Sequence, residues 1–129
     1  MNVTEDYVSY EVAKLLKEKG FDWRCNSHYW SQDLDTLRYS DYPQNWNCAS
    51  DDWYSCPTHQ MAMKWLREEH NIFIVIEPYM YDYINEKNSS YVTSLWQGDN
   101  YYENITSKDY PTYEQAVEAA LKYSLENLI

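Results

Sequence analysis

Apolar residues recur along this chain with two clear rhythms and one interruption. Val8, Val12, Leu15 and Leu16 keep the spacing of one helical face, so residues 5–19 are expected to form a helix. Thr4 is its expected N-cap, Glu5 and Asp6 sit in its first turn, and Gly20 stops it. Lys14, Lys17 and Lys19 fall toward the negative end of its dipole. A second helix is predicted over 58–70, after Pro57, with Thr58 as cap, Met61, Ala62, Trp65 and Leu66 as its apolar stripe, and Asn71 as a left-handed stop. A third runs from 113 almost to Ile129. Thr112 to Gln115 has the form of a capping box, Val117, Ala120, Leu121, Ser124, Leu125 and Leu128 share a face, and Glu118 and Lys122 form an i, i+4 pair.

The strand rhythm starts after the second helix. Ile72 to Ile76 are β-branched or aromatic without alternation, as expected of a central strand buried on both faces. Pro78 should interrupt its ladder, and Tyr79, Tyr81 and Tyr83 then alternate with Met80, Asp82 and Ile84, which predicts a bent or second strand. Residues 91–97 and 100–106 read as a hairpin about Gly98-Asp99. Between Cys25 and Cys56 no period holds, and only short strands near Thr36–Tyr39 and Trp53–Ser55 are expected there. The fold class is therefore α+β: an antiparallel sheet of about three to five strands against three helices, in one domain over 1–129 with an irregular aromatic-rich segment at 23–56.

At 129 residues a core can form without disulfides or a structural metal. Twenty-one acids against ten bases give a net charge of −11, a field that repels nucleic-acid backbones and anionic membranes, so neither is expected as a direct partner. No apolar run is long enough to span a bilayer, and Met1 to Asp6 lacks the basic and apolar regions of a signal peptide; a cytoplasmic address follows. In that compartment Cys25, Cys48 and Cys56 are expected as free thiols.

Aromatic usage changes the picture most. Six Trp and fifteen Tyr beside two Phe give rings that mostly carry a polar handle. In the segment around 26–55 they alternate with Ser, Asn, Asp and Gln, a composition like that of a binding paratope. Trp30, Tyr42, Trp46 and Trp53 are the expected partner contacts by ring type and polar surroundings; the alternative is an aromatic cover over the sheet. A homodimer is a further option. Zinc ligands can be drawn from Cys25-x2-His28 and from Cys48, Cys56 and His59, but the spacing matches no zinc module. Cys56 before a helix N-terminus, with His59 three residues on, sketches an activated thiol without an oxyanion donor or an orienting carboxylate. Two glycines rule out the glycine-rich phosphate loops, although stacking on Trp and Tyr leaves a pocket for a nucleotide or other small molecule as an alternative function. No cofactor, metal ligand set or catalytic residue is assigned.

Pro57 to Glu68 followed by Ile72 to Ile76, the ending Tyr113 to Ile129, and the opening Val12 to Phe21 resemble small uncharacterised proteins of Bacteroidetes genomes and their prophages. The resemblance covers the two ends and the middle and implies no activity. It implies the context of a small acidic accessory protein that binds and blocks a host protein. The expected function is thus a non-enzymatic binding protein, counter-defence or regulatory, engaging a host protein through an aromatic surface.

Overall fold

The computed structural model describes residues 5–80 and 89–129. They fall into two units, 1–62 and 63–129, and each holds its own antiparallel sheet.

In the first unit the chain enters extended. Tyr7 bridges to Thr58, the Val8 amide donates to the Pro57 carbonyl at 3.1 Å, and the His59 amide donates to that of Asp6 at 2.8 Å. These bonds hold residues 5–8 out of the helix predicted to begin there. The first helix, α1 (Tyr10–Glu18), starts later, capped by Ser9, whose hydroxyl accepts from the Val12 amide at 3.2 Å. It ends as expected at Gly20, which takes φ +90°. There the Phe21 amide reaches the Leu16 carbonyl (2.9 Å) and the Gly20 amide that of Lys17 (3.1 Å), a Schellman ending that only an unhindered residue adopts without strain.

The segment expected to be irregular is instead a sheet: β1 (Cys25–Trp30), β2 (Asp33–Gln44) and β3 (Trp53–Ser55), in the order β2-β1-β3, with a single-turn helix α2 (Trp46–Ala49) between the last two. The strand expected near Thr36–Tyr39 lies inside β2, and that at Trp53–Ser55 is β3. The strands escaped a pattern reading because their inward positions are polar. Ser27 and Ser55 are fully buried, and the Ser27 hydroxyl donates to the Cys56 carbonyl at 2.6 Å. Lys17 closes the unit from α1, its ammonium donating to the carbonyls of Ser50, Asp51 and Trp53 at 3.0, 3.2 and 2.7 Å while lying 4.8 Å above the Tyr54 ring.

The division between units falls within α3 (His59–His70), where Thr58 caps as predicted, its hydroxyl accepting from the Met61 amide at 3.2 Å. Asn71 follows with φ 56°. The second unit then builds β4 (Ile72–Met80), β5 (Ser89–Gln97), β6 (Asn100–Tyr102) and β7 (Asp109–Tyr110), ordered β4-β5-β6 with β7 pairing farther along β5. Among the described residues β4, expected to be central, is therefore an edge strand. Its edge position explains why Pro78 does not end it, since a strand edge does not need that amide; Pro78 pairs with Tyr91. Tyr81, Asp82, Tyr83 and Ile84 lie outside the described residues. The hairpin about Gly98-Asp99 forms, with Gly98 at φ +60° and its amide on the Asn71 carbonyl. Its second arm stops at Tyr102, because Asn104 (φ 47°) and Ser107 (φ 56°) turn the chain back so that the Ile105 amide meets the Thr93 carbonyl at 2.9 Å.

α4 (Tyr113–Asn127) has the cap and the face read from its sequence: Thr112 accepts from the Gln115 amide at 3.1 Å, and Ala116, Val117, Ala120, Leu121, Ser124 and Leu125 are buried. Lys122 pairs with Glu126. The fold is thus mixed α+β with antiparallel pairing, as expected, its strands divided between two sheets and α2 added to the three helices foreseen. No described helix is long and apolar enough to cross a membrane.

Candidate functional site

Alternation along β1 separates the rings of the first sheet into two groups. Tyr29 pairs with Tyr54 across β1 and β3, and Tyr10 of α1 meets both edge-on, with ring centroids 5.9 and 5.2 Å away. The Tyr29 hydroxyl donates to the Val8 carbonyl at 3.1 Å. Farther out, Tyr7 lies edge-on to Tyr39 at 5.6 Å. Here tyrosine serves as a helix-to-sheet contact.

The other parity of β1 presents His28 and Trp30. The His28 ring stacks on Trp46 at 4.0 Å and 18°, and Trp53 closes the group at 5.4 Å from Trp46. Asn45 starts α2 by accepting from the Cys48 amide at 3.3 Å, and the turn that follows aims Trp46 inward, where its indole N–H donates to the Cys25 carbonyl at 2.7 Å. Asn47 fastens the same turn to β3 and to the end of α1, its side chain accepting from the Ser55 amide (2.8 Å) and donating to the Phe21 carbonyl (2.9 Å). His28 Nδ1 is buried without a hydrogen-bond partner. Burial, and then the charge of Arg38 across the ladder, lower the His28 pKa below its ordinary 6.5, so the ring is neutral at neutral pH. Arg38 itself lies 5.0 Å from the Trp30 ring and 3.9 Å from Asp33.

The four expected contact residues are therefore not equivalent. Trp46 is 5% exposed and belongs to the interior; Trp53 and Trp30 are half-buried cross-strand partners. Tyr42 stands on the outer strand β2 at 77% exposure. The residues that ring type alone passed over are Tyr39, at 65%, and Leu34, both also on β2. Position on a twelve-residue edge strand decides their exposure.

Two of the three thiols are buried. Cys56 is fully buried with its Sγ 3.3 Å from the Val8 carbonyl, and His59 is buried as well. Cys25 is buried beside the Met61 sulfur, and desolvation pushes its thiol up to about 12. Cys48 is exposed. Among the described residues no three His, Cys, Asp or Glu converge on a common point as metal ligands would.

The second sheet carries a further aromatic group that the sequence reading treated as strand formers. Phe73, Trp96 and Tyr101 occupy consecutive register positions across β4, β5 and β6. Each is exposed. The same unit has an open cleft of about 260 Å³ at one end of α4, lined by Thr106, Lys108, Tyr110, Lys122, Tyr123 and Asn127 among others. No family model, no curated protein and no solved structure matches this chain.

Proposed function

We propose that this protein is a small acidic non-enzymatic binding module, of phage or mobile-element type, that engages a host protein through the outer strand of its first sheet. The observation that carries this reading is β2, a long edge strand on which Leu34, Tyr39 and Tyr42 stand exposed beside Ser40 and Asp41. Tyrosine there supplies contact area at small entropic cost, and neighbouring hydroxyl and carboxylate groups supply hydrogen bonds. Behind it, Trp46, His28 and Trp53 form a rigid support fastened by backbone hydrogen bonds, which limits the ordering cost of binding. The resemblance to small Bacteroidetes and prophage proteins supplies the host context, and the burial of Cys56 weighs against a thiol enzyme.

The test is affinity capture from a Bacteroidetes lysate, quantified against a Tyr39→Ser/Tyr42→Ser variant. Both rings are outside the core, so the variant is expected to fold normally and lose one enriched host protein. Equal capture by the variant, or no specific enrichment, overturns the reading.

The cleft beside α4 favours a second reading, sequestration of a small molecule. Lys108, the Lys122–Glu126 pair and the hydroxyls of Thr106, Tyr110 and Tyr123 suit a small polar molecule, and its 260 Å³ is just below the ordinary range for ligand pockets. Native mass measurement separates the two readings, because sequestration requires a reproducible added mass.

A further inference from the structure

The two faces of the second sheet differ: α4 lies over one, and on the other Ser94 is buried while the end nearest the Gly98-Asp99 turn is exposed. α4 serves the face of Tyr91, Leu95 and Gln97: Tyr113 meets Tyr91 edge-on at 6.0 Å, Leu95 is fully buried, and the Gln97 amide donates to the Leu128 carbonyl at 3.5 Å. On the opposite face the register aligns Phe73 with Trp96 and Trp96 with Tyr101. Their exposures are 42, 44 and 41%, and the Trp96 and Tyr101 rings are 4.9 Å apart with their planes inclined at 44°. Exposed rings scattered singly need no explanation, but three in register form one continuous aromatic row.

Among the described residues, the charges that the register places on this face have one sign. Glu77 is exposed on the same face farther along β4, and Asp109 of β7 is opposite Val92 on that face. Asp99 lies in the adjoining turn and Glu103 directly after β6, both exposed. Residues 71–80 and 89–107 contain no Lys or Arg. An aromatic row whose described same-face neighbours with charge are carboxylates matches one side chain especially well. Guanidinium is planar, stacks on ring faces, carries an apolar stem, and forms paired hydrogen bonds to carboxylates.

We propose that the face bearing Phe73, Trp96 and Tyr101 is a docking site for an arginine-bearing protein segment. The arginine plane stacks on Trp96 and Tyr101, and the bordering Glu77, Asp99 and Glu103 attract the positive charge and set its direction of approach. The same carboxylates oppose a second copy of the chain, since face-to-face pairing would bring like charges together. This face lies in the other unit and is independent of the β2 reading.

The experiment is calorimetric titration of the full chain at low salt with three short peptides, alternating serine with arginine, lysine or citrulline, together with sedimentation of the protein alone. Citrulline keeps the shape of arginine without its charge. The arginine peptide should bind, the citrulline peptide about tenfold more weakly or worse, and lysine between them. Trp96→Thr should weaken the arginine peptide about tenfold. Glu77→Gln/Glu103→Gln should do the same and flatten the salt dependence. Tyr39→Ser/Tyr42→Ser should bind it unchanged. If Trp96→Thr does not fold, Tyr101→Thr and the charge variant carry the test. Equal affinity for arginine and citrulline, absence of binding at about millimolar arginine peptide, or a dimer that Trp96→Thr dissociates would each overturn the proposal.

Discussion

Trp46 and Trp96 show how differently the two sheets use the same residue. Trp46 is 5% exposed, stacked on His28 and bonded through its indole N–H to the Cys25 carbonyl; Trp96 is 44% exposed in a row with Phe73 and Tyr101. In the first sheet the large rings are inside and the outer strand displays tyrosine. In the second the aliphatic residues Ile72 and Leu95 are inside and the rings are displayed. An indole can be buried where a backbone acceptor meets its N–H, and α2 supplies that arrangement for Trp46. Aromatic content alone therefore does not locate a surface; the placement of the polar handle does.

The comparison can be broken by substitution. Trp46→Ala should have the largest effect, destabilising the protein by about 3–5 kcal/mol, since it opens a cavity and leaves the Cys25 carbonyl without its donor. Urea unfolding followed by circular dichroism measures it, and a loss as small as that of a surface change would mean Trp46 is not the keystone described. Lys17→Met should cost about 1–3 kcal/mol, because its ammonium serves three carbonyls in a partly buried site. Trp96→Thr should shift stability by less than about 1 kcal/mol, the expected behaviour of a half-exposed ring on a sheet face.

Two titrations sharpen the same contrast. His28 has a lowered pKa in the fold, so below 6.5 the unfolded chain binds more protons and stability falls on acidification, while above 6.5 the contribution is fully present. Unfolding midpoints measured across that range should show the decline, and His28→Phe should lessen it. Cys25 behaves in the opposite sense: its thiol rises from 9.0 to about 12, so stability is lost as pH rises past 9. Alkylation near neutral pH should modify Cys48 quickly and leave Cys25 and Cys56 unmodified until the protein unfolds, as mass spectrometry would show.

Much of the fold is legible in the sequence where local chemistry decides it. Thr58, Thr112, Gly20, Asn71 and the Gly98-Asp99 turn each act within a few residues, and the structure places each as its chemistry requires. The start of α1 was not legible, because Asp6 and Val8 are held extended by partners about fifty residues away. The first sheet was hidden because Ser27, His28 and Ser55 occupy inward positions where a binary pattern expects aliphatic residues. β4 read as central because an unbroken apolar run implies two covered faces, whereas Phe73 instead joins the exposed row. Of the rings singled out by type and polar neighbours, Tyr42 is exposed, whereas Trp46 meets its polar partner inside. Trp96 and Tyr101 flank the two-residue turn symmetrically, a cross-strand signal that aromatic content alone does not reveal.

β2 also bears on how concentrated this protein can become. A twelve-residue strand that is at the edge among the described residues invites neighbouring molecules to add strands and grow a ribbon. Asp33, Asp35, Arg38 and Asp41 place charges along it, and Pro43 removes an amide near its end. With a sequence pI of about 4.5, the molecule loses its overall repulsion as the medium approaches that pH. Mildly acidic storage is thus the condition under which turbidity and fibrillar growth should begin, with this strand as the seam.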